Sequence, residues 1–370
     1  MPVGDRVELV DLPDNVSGEE NDGLVITLDA SSFETNSDEY IIISFTIKPT
    51  SDASALNGLD KVRVGLQSGA FVTNGDGSAT ATVTVKSNEV DKITFFPGDA
   101  FGDMDVTISA ATFDQNTVLG NLESDVGDVT SEDLVITITP EPDEPILTVE
   151  YESIVAEASG TIPLGLELSL INPATDETGF VTISGLPSGL LLSSGTEENG
   201  KYTVSMDDIA DLAIVGGYSG ADEFQLAIEP TASLNGSDAE GIAQVIDVTL
   251  LAIADNRLEG TNGANDLFIV SSNSGTDTIA SFDYSQNSDA IDISAIVSGV
   301  TDGSSADAKI DLDDNSGNVK LSLKPDGSTI QQEIILEGVS LNDLYGSDTS
   351  SVNESDILQK MIDDQNLIVQ

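Results

Sequence analysis

The chain has 370 residues and sets 66 Asp and Glu against 12 Lys and Arg, a formal charge of −54 with no His. A polyanion of that density is repelled by nucleic acid and by acidic membrane surfaces, which are bound through Lys and Arg, so neither is an expected partner. Cys and Trp are also absent, which excludes disulfides, Cys or His metal sites, thiol nucleophiles and Ser-His-Asp machinery, and leaves oxygen-bound hard cations as the open metal chemistry.

Apolar residues make up 39% of the chain but aromatics only 5%, with 33 Gly. That balance suits stacked small β domains better than one enzyme core. No run approaches the ~18 apolar residues of a membrane span, and the start Met1-Pro2-Val3-Gly4-Asp5 has neither the basic residues nor the apolar segment of a secretory signal. A monomer without a transmembrane segment is expected.

In residues 1–142, short β-branched runs recur between turn signals: Leu24 to Leu28, Tyr40 to Ile47, Lys61 to Leu66, Ser78 to Lys86, Lys92 to Phe96, Asp105 to Ala110 and Asp133 to Thr139. Period-two alternation, as in Thr80, Thr82 and Thr84 against Ala81, Val83 and Val85, predicts a β-sandwich, with Asn74-Gly75 at a hairpin tip. Pro140-Glu141-Pro142-Asp143-Glu144-Pro145 reads as a stiff linker, because its prolines remove donors and restrict their neighbours.

A second sandwich is predicted over residues 143–255, from Ile146 to Tyr151, Thr161 to Leu170, Phe180 to Leu186, Lys201 to Ser205, Glu223 to Ile228 and Gln244 to Ala252. Val64-Gly65-Leu66-Gln67-Ser68-Gly69 matches Ser184-Gly185-Leu186-Pro187-Ser188-Gly189 at an offset of 120 residues, and the turns Phe101-Gly102 and Tyr218-Ser219-Gly220 follow in each series. Two diverged copies of one sandwich account for this.

The texture changes from Ala254-Asp255-Asn256 onward, so a third domain is expected over 256–370. Its strands are predicted at Leu267 to Val270, Thr278 to Phe282, Ala290 to Ile293, Lys309 to Leu312, Val319 to Leu323 and Gln332 to Leu336. One helix is expected, near the end, where Ser355 caps it and Ile357, Leu358, Met361 and Ile362 share a face.

The strongest chemical constellation is Gly260-Thr261-Asn262-Gly263-Ala264-Asn265-Asp266-Leu267-Phe268 with Asn273-Ser274-Gly275-Thr276-Asp277-Thr278-Ile279. Glycines permit tight turns, Asx residues supply oxygens for a hard cation, and an apolar residue anchors each short strand. These turns resemble calcium-binding β-roll turns. The nonapeptide G-G-x-G-x-D-x-U-x is met only approximately, since Asn265 takes the Asp position in one frame and Ala264 replaces a Gly in the other. Asp266 and Asp277 are the leading ligand candidates, with Asn262, Asn265 and Asp283 in support; solvated Asx turns are the alternative.

With Phe282-Asp283, Asp289-Ala290-Ile291-Asp292-Ile293-Ser294, Ile334-Ile335-Leu336-Glu337-Gly338-Val339, Asp356-Ile357-Leu358-Gln359 and Asn366-Leu367-Ile368-Val369, the last 115 or so residues resemble the C-terminal target domain of repeats-in-toxin (RTX) proteins exported by type I secretion. The upstream series resembles the Ig-like or cadherin-like extender domains of large RTX adhesins, a match that rests on Gly-Leu-Pro-Ser-Gly and the acidic turns. The resemblance implies an all-β chain: two tandem Ig-like or cadherin-like sandwiches, then a short degenerate calcium β-roll ending in one helix. It also implies Ca²⁺ as the bound ion, a type I secretion transporter reading a signal from about Leu321 onward, a surface ligand for the longer polypeptide, and an extracellular place on a bacterial cell surface.

A second set of candidates lies at the domain junctions. There Glu141, Asp143 and Glu144, and separately Asp255, are placed to join acidic loops around an interdomain ion, while Glu157, Asp176 and Glu177 are placed for a loop site in the second sandwich. Asp311-Leu312-Asp313-Asp314-Asn315-Ser316-Gly317 fails as an EF-hand, since Ser316 stands where Gly is needed and Ser322 where a bidentate Glu is needed, and reads as a hairpin turn. Paired carboxylates can hydrolyse glycosides without His, but no pair stands out and the aromatic platform of Trp is missing. The chain reads as a calcium-stabilised, non-enzymatic extender and export region of a surface adhesin. The alternative is a sugar-, peptide- or ice-binding module in one sandwich.

Overall fold

Alternating sequence becomes alternating burial. In the strand Ala79–Lys86, Ala79, Ala81, Val83 and Val85 are buried while Thr82, Thr84 and Lys86 face water. The computed structural model of the chain describes residues 9, 12–20, 22–27, 39–50, 56, 58–86, 90, 92–114, 128–157, 160–216, 222–286 and 288–369. It is mostly β, with 49% strand and 8% helix, and divides into two compact units, Met1–Glu141 and Pro142–Gln370. The division falls inside the expected proline linker.

The first unit is a sandwich. Its six-stranded sheet runs in the order Asn15–Glu19, Thr130–Thr139, Gly102–Asp114, Glu39–Pro49, Ala79–Lys86 and Val72–Thr73; its four-stranded sheet runs Leu24–Thr27, Lys92–Phe96, Lys61–Val64 and Gln67–Ala70. Ile43, Phe45, Val62, Ile93, Phe95 and Ile108 are among the buried side chains between them. The predicted hairpin at Asn74-Gly75 is present, but the left-handed residue is Gly77, at φ +80°, and the Asn74 side chain donates to the Ser78 and Thr80 hydroxyls. Leu28 and the Tyr218-Ser219-Gly220 turn lie outside the described residues.

In the second unit, one ten-stranded sheet includes the path Thr196–Glu198, Lys201–Ser205, Thr178–Ser184, Asp222–Leu234, Gln244–Leu251, Ser153–Glu157, Asp266–Ile269, Ala290–Asp292 and Leu367–Ile368. Its first members, with small sheets that include Ile146–Val149, Leu166–Ser169 and Ala213–Val215, close the second sandwich around Ile154, Leu166, Val181, Ile228 and Val248. Beyond Ala254 the chain winds as a coil. Strands alternate between this sheet and a second one holding Arg257–Glu259, Thr276–Ala280 and Gln332–Leu336, and neighbours within these stretches pair in parallel. The sheet does not break where the sequence texture changes near 255–256: Ser153–Glu157 pairs in parallel with Gln244–Leu251 on one side and with Asp266–Ile269 on the other.

Ile310–Asp314 and Val319–Leu323 form the expected hairpin, with Ser316 and Gly317 at positive φ in its turn. The helix Glu354–Asp363 has Asn353, not Ser355, at its N-cap position, without a side-chain capping bond; it buries Ile357, Leu358 and Met361 and is followed by the strand Leu367–Ile368. Among the described residues three further helices, Met206–Ile209, Gly303–Asp307 and Leu341–Tyr345, have four or five residues each. They are too short to show a helical period in sequence.

Candidate functional site

Three carboxylates expected to act in separate places come together at the head of the coil. Glu157 closes its strand and is fully buried; its Oε1 accepts the Asn256 side-chain amide at 2.6 Å and its Oε2 the Ser271 main-chain amide at 2.8 Å. Asp277, also fully buried, accepts the Asn256 main-chain amide at 2.8 Å through Oδ1 and the Gln332 side-chain amide at 2.7 Å through Oδ2. The Asp255 carboxylate accepts the Thr276 amide at 3.2 Å and fills the space beside Gly275, where a Cβ would lie 1.7 Å from its Oδ1. Burial pushes Asp277 up to about 6, and the charges of Glu157 and Asp255 add to the rise, against the opposing hydrogen bonds from Asn256 and Gln332.

Across the coil, on the other sheet, Asp266 and Asp289 repeat the arrangement. Asp289 Oδ1 accepts the Asp266 amide at 3.0 Å and Oδ2 the Asp283 amide at 2.7 Å. Burial is again the first cause that lifts Asp289 to about 6, opposed by those two amides and reinforced by the charges of Asp266 and Asp283. Asp266 is fully buried, and its Oδ2 accepts the Thr261 amide at 2.7 Å. Its Oδ1 meets no donor in strict hydrogen-bonding geometry, although the Ser153 hydroxyl interacts with the carboxylate. Burial raises this carboxyl too, offset by the nearby Ser153 hydroxyl and the Thr261 amide, and increased by Glu152.

The supporting ligands are less drawn in. Asn262 and Asp283 are exposed; Asn265 is half-buried and its side chain donates to the Glu150 carbonyl. Asp283 is held below the usual carboxylate range by the Ser285 hydroxyl and amide, which both donate to its Oδ1.

At the start of the second unit, Glu177 Oε2 accepts the Ala174 amide at 3.0 Å, while Oε1 is buried without a partner in hydrogen-bonding geometry. Burial raises the Glu177 carboxyl and the charge of Asp143 adds to the rise, while the Ala174 and Asp143 amides oppose it. Glu144 and Asp176 are exposed nearby in sequence, and Glu141 belongs to the first unit, where its amide donates to Glu20.

Both oxygens of Glu157, Asp277 and Asp289 are therefore occupied by N–H donors. Among the described residues no group of three or more carboxylates is arranged to hold a metal ion. Asp266 Oδ1 and, separately, Glu177 Oε1 are buried carboxylate oxygens that meet no donor in strict hydrogen-bonding geometry.

Asp289, Asn256 and Gln332 were not among the sequence candidates. A signal for the first two exists: an Asx residue followed two positions later by Leu, Phe or Ile recurs at 256, 266, 277 and 289, with spacings of ten, eleven and twelve residues. Gln332 has no such local mark, because its partner lies 55 residues away.

No protein-family model matches the chain, and no curated protein matches it. Among solved structures it is similar to the C-terminal domain of the antigen I/II polypeptide BspA of Streptococcus agalactiae, at 11% identity over 63% of this chain and 95% of that one, with a TM-score of 0.21. The Yersinia pseudotuberculosis adhesin InvE matches at 13% identity over 64% and 56%, with a TM-score of 0.18. Zebrafish RET cadherin-like domains 1 to 4 match at 12% identity over 89% and 72%, with a TM-score of 0.26. Likeness at these scores carries no function to this chain.

Proposed function

We propose that the chain is a non-enzymatic, calcium-stabilised extender and export region of a bacterial cell-surface adhesin. The observation that carries the reading is the parallel coil built onto a sandwich, with Asx residues at equivalent places in successive windings and a buried Asp266 carboxylate whose Oδ1 meets no donor in strict hydrogen-bonding geometry. The RTX resemblance of the same residues supports calcium as the ion and supports a type I transporter as the partner of the segment from about Leu321.

Physics gives the ion a role. At −54 the chain repels itself, and carboxylates closer than the Debye length of ~8 Å oppose compaction when divalent cations are scarce. An ion that binds the folded form alone adds RT ln(1 + [L]/K_d), about 2.7 kcal/mol per site at a hundredfold excess. Asp266, and separately Glu177 with Asp143, are the residues that would hold it. Rigid sandwiches then provide reach between a cell and an unidentified surface ligand.

Export tests the reading directly. In a host carrying the cognate transporter, removal of residues 321–370 abolishes export while the first unit stays folded by hydrogen exchange. Normal export of the truncated chain would refute the assignment.

A further inference from the structure

We infer that the second sandwich and the C-terminal coil are one cooperative folding unit, in which Ser153–Glu157 is at once a sandwich strand and the first rung of the coil. The side chains of the shared strands alternate between two cores. Ile154 and Ala156 enter the sandwich core and Val155 the coil core; Leu267 and Ile269 face the sandwich while Phe268 and Val270 face the coil; Ala290 and Ile291 divide in the same way. Three adjacent parallel strands are thus a partition buried on both faces, a setting otherwise found where layers cover both sides of a sheet.

Neither core is complete without the other part. Unwinding the coil would strip Leu267, Ile269 and Ala290 from the sandwich core, while opening the sandwich would remove Val155 and the hydrogen-bonded edge on which Asp266–Ile269 is laid. Polar groups pin the same seam: the Glu152 amide donates to the Asn265 carbonyl at 2.9 Å, the Asp247 amide to the Glu152 carbonyl at 3.0 Å, and Glu157 holds Ser271 and Asn256. Opening one part alone would break the bonds of the buried Glu157 and Ser271 across the seam, a cost that favours opening both together.

This coupling rests on packing and stands whether or not calcium binds, so its failure is distinguishable from failure of the proposed function. The test is hydrogen exchange by mass spectrometry on the full chain, comparing it with Phe268→Ala, which removes a side chain that faces only the coil. Amides of 226–228 and 246–250 in the sandwich should lose protection together with 334–336 in the coil, on the order of a hundredfold or more, the scale of a buried Phe truncation. Peptides from 41–47 and 106–110 in the first unit should not change. Sandwich protection that survives while the coil exchanges would overturn the inference. If Phe268→Ala fails to fold, the unsubstituted chain in rising denaturant decides: the slowest amides of both parts should merge into one isotherm, and two isotherms would contradict it.

Discussion

The Asp289 carboxylate accepts the main-chain amide of Asp266 at 3.0 Å, one position before the parallel pair Leu267↔Ala290. On the opposite sheet Asp277 stands in the same relation to Asn256, at 2.8 Å, one position before Arg257↔Thr278. In both cases a carboxylate at the start of one strand ties down the amide at the start of its neighbour. The turns of the coil are therefore closed by protein donors, and Asp266 stands at the same place with its Oδ1 outside strict hydrogen-bonding geometry.

Asp289→Ala removes the acceptor of two amides, Asp266 and Asp283. Leaving the buried Asp266 donor unsatisfied costs about 1–3 kcal/mol and the part-buried Asp283 amide less, so denaturant unfolding of the second unit should shift by about 2 kcal/mol or more. Asp283→Ala, at an exposed residue whose Oδ1 accepts from the Ser285 amide and hydroxyl, should cost less than about 1 kcal/mol.

Acid should stabilise the second unit. Asp277 and Asp289, both at about 6 when folded against 3.8 otherwise, bind protons more tightly in the folded chain. Their contribution is fully present below pH 3.8 and is lost as pH rises through about 6, roughly 3 kcal/mol at most per group. Carboxyls held low, such as Asp326 at about 2, act the other way only at still lower pH. Without divalent cations the melting temperature of the second unit should thus be higher at pH 5 than at pH 7.5, and Asp277→Asn should flatten the difference. A higher melting temperature at pH 7.5 would contradict the burial argument.

Glu157→Ala should release the seam selectively. The Ser271 amide and the Asn256 side chain lose their acceptor, so exchange at residue 271 should accelerate at least tenfold, while strands of the first unit remain as protected as before.

Gly303→Ala tests how closely the helices Gly303–Asp307 and Glu354–Asp363 approach. A Cβ there would lie 2.1 Å from the Ser355 carbonyl oxygen, so the helices must separate. The expected cost is about 1–3 kcal/mol, read as a lower unfolding midpoint with loss of protection at 357–362.

Strands such as Ala79–Lys86 and Lys201–Ser205 were legible because one face meets water and the period of two survives in the residues. Ser153–Glu157 was not read as a strand: it is buried along its whole length, and its parallel partners lie about a hundred residues ahead, so no local turn or alternation announces it. The same distance hid the meeting of Glu157, Asp255 and Asp277. Each was legible as a candidate carboxylate, but their proximity depends on the sheet continuing from sandwich to coil. Leu66 shows the limit of the repeat signature: it is 91% exposed at a hairpin tip, whereas its counterpart Leu186 packs against the second core.

Thermal unfolding of the full chain in excess calcium against chelator, at constant ionic strength, tests the central claim most directly. Calcium should raise the melting temperature of the second unit by roughly 5 °C or more per tight site. The shift should shrink in Asp266→Asn and again when Glu177→Gln is added. Identical melting in calcium and chelator would contradict the account.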